Sequence, residues 1–265
     1  MTSASPPSTA PAHPTAARVP SDPAPGPRAP AGAAAPLWAV LVITWMNSLA
    51  TGIPYNGIWY IAKNVYHFTP LSTYVLGVLL GVTYIAGAMG SGPLIRRLID
   101  RGVVRGARDV LITLAIVMAL LTALPVGVFF AYSAEARAAG TGSGGAWAVW
   151  VFMGLYSALC GAFWPVVEAF LAGGRTDRQV AAALGKFNIT WSSSLIVSLW
   201  CLLPFPASGQ ALALGISGLM HLASLAIMLR LPRRPGDHPH HHGRVPPIYH
   251  VLLPVHRVLL PTVYM

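Results

Sequence analysis

Residues 37–59 read LWAVLVITWMNSLATGIPYNGIW, a run without a single acidic or basic residue. A helix needs about twenty apolar residues to cross roughly 30 Å of hydrocarbon, and this run is long enough. A segment inside lipid must satisfy its own backbone hydrogen bonds, which a helix does and an isolated strand cannot. Within the run, Thr44, Asn47 or Ser48, Thr51 and Tyr55 recur every three or four positions, so their polar groups share one helical face. Such a face would be wasted on lipid. It either lines a cavity or forms a hydrogen-bonded seam with another helix. Asn47 and Asn56 stand out, because an amide both donates and accepts.

Five similar runs follow, at about 71–95, 109–131, 147–172, 181–204 and 208–230. The expected fold is an all-α membrane protein, with six transmembrane helices bundled over residues 37–230. The strict alternation needed by an outer-membrane barrel is missing. Turn signals separate the runs: His67-Phe68-Thr69-Pro70, the glycine-rich stretch 140–145, and Pro204-Phe205-Pro206. Small residues pair along the helices, Gly77 with Gly81, Gly87 with Gly90, and Ala158 with Ala162, which lets backbones approach closely.

Composition agrees. Of 265 residues, 55% are hydrophobic and 9% charged, with a mean hydropathy of +0.61; a soluble domain carries about 25% charged residues. A water-exposed globule is excluded. Residues 1–36 hold ten of the 24 prolines with no hydrophobic period, and are expected to form a disordered cytoplasmic tail. Residues 231–265, including Val245-Pro246-Pro247 and the apolar stretch to Pro261, are expected to be a cytoplasmic loop and the truncated start of a seventh helix.

The formal charge of +10 raises the question of nucleic acid, but a nucleic-acid-binding domain presents basic soluble faces, not long apolar runs. The basic residues instead follow the loops. Arg96, Arg97, Arg101, Arg105 and Arg108 lie between runs two and three; Arg175, Arg178 and Lys186 between four and five; Arg230, Arg233, Arg234, Arg244 and Arg257 after run six. With Arg18 and Arg28 of the tail, fifteen basic residues fall on one side, and only Lys63 and Arg137 on the other. By the positive-inside rule, both ends are expected in the cytoplasm and the chain in the cell's inner membrane.

Few residues carry chemistry. Glu168 is the only acid in the interior of a run, just after Trp164-Pro165, where a proline kink can open a polar vestibule. It is read either as a proton relay or, more plainly, as the partner of Arg101 or a neighbouring arginine. In the fifth run Asn188, Trp191 and Ser192 share a face, an amide, an aromatic plane and a hydroxyl suited to an amphipathic small molecule; interfacial anchoring is the competing reading. Cys160 and Cys201 read as small buried hydrophobes. Gly87-Ala88-Met89-Gly90-Ser91-Gly92 imitates a phosphate loop but follows no strand. His238-Pro239-His240-His241-His242 reads as a solvated loop, and His221 as a packing or cavity residue. Ser157 and Ser91 lack the context of a hydrolase nucleophile, so no catalytic site, metal or cofactor is expected.

Gly92-Pro93-Leu94-Ile95-Arg96-Arg97, followed by Asp100-Arg101-Gly102 with Arg105 and Arg108, resembles in two registers the loop after the second helix of major facilitator superfamily transporters. That signature runs Gly-x-Leu-x-Asp-Arg-x-Gly-Arg-Arg, and Arg96 stands here in place of its acid. The layout of residues 37–230 resembles the amino-terminal six-helix half of that family. Trp164-Pro165 and Gly185-x-Phe187-Asn188-x-x-Trp191-Ser192 are similar to a bacterial subset. The resemblance implies alternating access to a small solute, with Asn47, Tyr55, Asn56, Asn188, Trp191 and Ser192 as cavity candidates. Asp100, Arg101, Arg105 and Glu168 become gating or charge-pair candidates. It also implies a second six-helix half, on another chain or as a homodimer. Ser157 occupies the place where the family often has a proton-coupling arginine, and the antiporter signature of its fifth helix is missing from Ser192 to Leu203. A membrane fragment or interaction module that carries no flux is the alternative.

Overall fold

The computed structural model describes residues 33–139 and 145–236. They form α1 (Leu37–Asn64), α2 (Pro70–Asp100), α3 (Ala107–Ala139), α4 (Ala146–Ala172), α5 (Asp177–Trp200) and, after a 3-10 turn at Ala207–Leu212, α6 (Ala213–Met228). No strand occurs among the described residues. The protein is an all-α membrane bundle. The stretches 238–242 and 245–261 lie outside the described residues, as do 140–144 and all but the last four residues of the expected tail.

Local chemistry starts and stops these helices. Thr69 caps α2 by accepting a hydrogen bond from the Ser72 amide at 3.2 Å, and Pro70 occupies the first turn, where its missing N–H costs nothing. The Gln179 side chain accepts from the Thr176 amide at 3.0 Å, closing the first turn of α5. Between α4 and α5 the chain turns at Gly174, whose φ of +71° places its α-carbon side against Ala34; a side chain there would be both strained and blocked.

Among the described residues, five helices are long and apolar enough to cross a membrane: α1, α2, the first 25 residues of α3, α4, and the segment Gln210–Met228 that contains α6. One of the six expected spans, residues 181–204, is not among them by composition. The fifth run does fold as a helix, but Asp177, Arg178, Gln179, Lys186, Asn188 and its serines make α5 too polar to qualify alone. α1, α2 and α3 also run several residues past their apolar stretches.

The strongest packing is of α2 on α4, α1 on α5, α3 on α6, α1 on α6 and α3 on α4. Exchanging α1 with α4, α2 with α5 and α3 with α6 maps every one of these pairs onto another or onto itself, the pattern of two inverted three-helix repeats. Glycines mark the equivalent crossings. Gly52 and Gly161 are each the sixteenth residue of their helix. A Cβ on Gly52 would sit 2.5 Å from the Ser198 hydroxyl of α5, and one on Gly161 would sit 2.2 Å from the Tyr84 carbonyl of α2. Gly87 meets the Ala158 carbonyl even more closely, whereas Gly81 and Gly90 face open space, so of the expected small-residue pairs only part is used in packing. The core is richest on α4, where Phe152, Tyr156, Phe163 and Phe170 form one fully buried stripe.

The basic segments meet at one end of the bundle. Arg108 donates to the carbonyls of Leu229 and Leu231, joining the first turn of α3 to the chain after α6. Arg175 donates to Phe170 and Leu171 at the end of α4 and to Ala35 before α1. Ala35 is buried, so this last part of the expected tail belongs to the bundle. Burial of Arg175 holds its guanidinium below the usual arginine value. That cost is met by three carbonyl partners, which accept charge-assisted bonds.

Candidate functional site

A cavity of roughly 520 Å³ lies between α1, α2, α4 and α5, within the range of about 300–1,000 Å³ common for small-ligand sites. Three of these helices present it with a stripe of helical period. From α1 come Thr51, Tyr55 and Asn56; from α4, Cys160, Trp164 and Glu168; from α5, Phe187, Asn188, Trp191 and Leu195; α2 adds Tyr84. Most of these positions lie near the middle of their helices.

The lining is held from behind. The Ser157 hydroxyl donates to the Leu80 carbonyl at 2.8 Å, so it accepts from the Tyr55 hydroxyl 2.7 Å away. One serine thereby fixes the Tyr55 phenol and ties α4 to both α1 and α2. The Asn56 amide donates to the Ser198 hydroxyl at 3.3 Å, and Ser198 in turn donates to Leu195. Trp164 packs edge to face against Phe187, with ring centres 6.3 Å apart, and against Phe163, at 5.3 Å. Such pairs set ring planes as well as filling space.

Of the residues singled out in sequence, Tyr55, Asn56, Glu168, Asn188 and Trp191 meet in this cavity. Two cavity candidates do not. Ser192 is exposed on α5, beyond the lining. Asn47 is fully buried in a second polar cluster: its amide donates to Ile43 at 2.9 Å, and its carbonyl oxygen lies 2.8 Å from Nδ1 of His221. Nε2 of His221 lies 2.7 Å from the Tyr156 hydroxyl, and Ser217 donates to Ala50 at 2.6 Å. Every strong hydrogen-bonding group of His221 is engaged within the protein, so Asn47 belongs to an interhelical seam.

The expected pairing of Glu168 with the basic loop is also corrected. The ion pair beside that loop is between Arg108 and Asp109 in the first turn of α3, 3.8 Å apart, and Glu168 makes none among the described residues. The Arg105 amide donates to Asp109, while Asp100 and Arg101 are exposed. Packing register explains the separation. With Gly161 level with Tyr84 and Ala88, Glu168 falls about eight residues, or roughly 12 Å of helix rise, short of Arg101.

Tyr84, Cys160 and Phe187 were not legible as lining residues, since an aromatic or a cysteine in an apolar run carries no mark of its own. Trp164 was marked only as part of the Trp164-Pro165 pair before Glu168. Among the described residues no three His, Cys, Asp or Glu side chains gather as a metal site, and Gly87–Gly92 is continuous helix. A smaller recess at the basic end is lined by Arg175, Gln179 and Lys186. Comparison of the chain with protein-family models, curated proteins and solved structures finds no match.

Proposed function

We propose that this chain is a solute permease that binds a small molecule in the cavity between α1, α2, α4 and α5 and moves it by alternating access, as the major facilitator family does. The observation that carries the reading is the placement of amide, hydroxyl and aromatic groups around one cavity at mid-helix, with the Glu168 carboxylate one turn from the end of α4, where polar groups are costly unless they serve a pathway. The inverted three-helix packing pattern supports it, because substrate sites of such proteins lie near the midplane between repeats. The joined basic loops support a cytoplasmic location for that end of the bundle, in the cell's inner membrane. On α2 only Leu76, Leu80 and Ser91 are buried, and α5 is similarly bare. A second copy of this six-helix body completes the opposite wall of the pathway.

The test is retention. Proteoliposomes containing the chain are loaded with a mixture of small amines, sugars, amino acids and carboxylates, diluted, filtered and analysed. One solute class is expected to escape faster than from protein-free vesicles, and Asn188→Trp, which fills the cavity, is expected to abolish the difference. Equal retention of every class with and without protein contradicts the proposal.

A further inference from the structure

The cavity contains one carboxylic acid and no basic side chain. Of its eleven lining residues, Tyr55, Tyr84, Trp164, Phe187 and Trp191 are aromatic, and Glu168 is the single carboxylate. No lysine or arginine lines it. Lys186 and Arg175 border the separate recess at the basic end, and Arg175 is occupied by backbone carbonyls. Glu168 forms no ion pair with any described residue.

Ring faces carry negative charge density and attract cations, most strongly at tryptophan. A carboxylate attracts the same charge. An anion would be repelled by both, and a neutral solute would leave the carboxylate without a counter-charge in a partly desolvated site. Resting on the reading of this cavity as a solute site, we propose that its ligand is an organic cation, an ammonium-type head on an apolar body. The head is held by Glu168. The body lies among Trp164, Phe187 and Trp191, and the Asn56 and Asn188 amides supply the remaining polar contacts.

The probe is benzyltrimethylammonium, compared with its uncharged isostere neopentylbenzene and with phenylmethanesulfonate, each titrated against the purified chain by tryptophan fluorescence. The cation is expected to bind at least about tenfold more tightly than the isostere, and the sulfonate more weakly than both. Glu168→Gln, with an unchanged melting temperature, is expected to abolish that preference. Equal binding of the cation and the isostere, or a preference that survives Glu168→Gln, overturns the inference and leaves the cavity reading standing. If no probe binds, the inference also falls. Asn188→Cys, in a chain with Cys160→Ala and Cys201→Ser, then tells whether the cavity reading falls with it: that reading requires the new thiol to react with a water-soluble thiosulfonate, and an inert thiol removes it.

Discussion

The Tyr156 hydroxyl lies 2.7 Å from Nε2 of His221, deep between α4 and α6, while the other ring nitrogen faces Asn47 of α1 at 2.8 Å. The Asn47 amide nitrogen donates to Ile43, so its oxygen is the acceptor and Nδ1 of His221 carries the hydrogen. Nε2 therefore accepts from Tyr156. Three helices are fixed by one imidazole in a single tautomer. His221→Phe leaves Asn47 and Tyr156 without this partner and is expected to destabilise the protein by about 1–3 kcal/mol. Melting in detergent measures it. Adding Asn47→Leu to His221→Phe should cost less than the sum of the two single changes, since both remove the same link. Strict additivity would show that the two residues act separately.

The α2–α4 crossing depends on glycine. A Cβ on Gly161 would enter the Tyr84 carbonyl at 2.2 Å, and backbone atoms cannot rotate away as a flexible side chain can. Gly161→Leu is expected to cost about 1–3 kcal/mol or to prevent folding. Gly90→Ala is the control on the same crossing helix pair: nothing lies within 4 Å of its Cβ position, and it should raise stability by about 0.5–1 kcal/mol. Equal melting temperatures for the two variants would contradict the crossing.

Arg175 clamps the basic end through carbonyls of Phe170, Leu171 and Ala35, using a planar fork of donors. Arg175→Lys keeps the charge but not the fork and is expected to lose about 1–3 kcal/mol. Faster proteolysis between Ala33 and Leu37 in the variant, against an unchanged rate at other sites, checks that the lost contact is the one to Ala35. An unchanged rate there contradicts it.

Much of this architecture could be read from apolar length alone, because lipid leaves a spanning segment no choice but helix. The exception is instructive. Asn188, the serines and Lys186 make α5 polar, and the same polarity that marks it as a cavity wall removes it from the set of self-sufficient spans. Periodicity placed Thr51 and Tyr55 on the correct face but could not separate them from Asn47, one turn away. Whether a polar face meets a cavity or a histidine on another helix depends on packing between residues 174 positions apart. Glu168 is a similar case: its nearness in sequence to a basic loop suggested a salt bridge, and the register of α4 against α2 determined otherwise.

Everything proposed for the cavity requires α5 to cross the membrane beside α1, although it does not qualify by composition. The direct measurement is the sidedness of its two ends. Thr176→Cys and Phe205→Cys, each in a chain with Cys160→Ala and Cys201→Ser, are treated in intact cells with a membrane-impermeant maleimide. The account predicts that Phe205→Cys is labelled from outside and that Thr176→Cys is labelled only after the cells are opened. Labelling of both positions from the same side would mean that α5 does not cross, and the cavity would lose its wall.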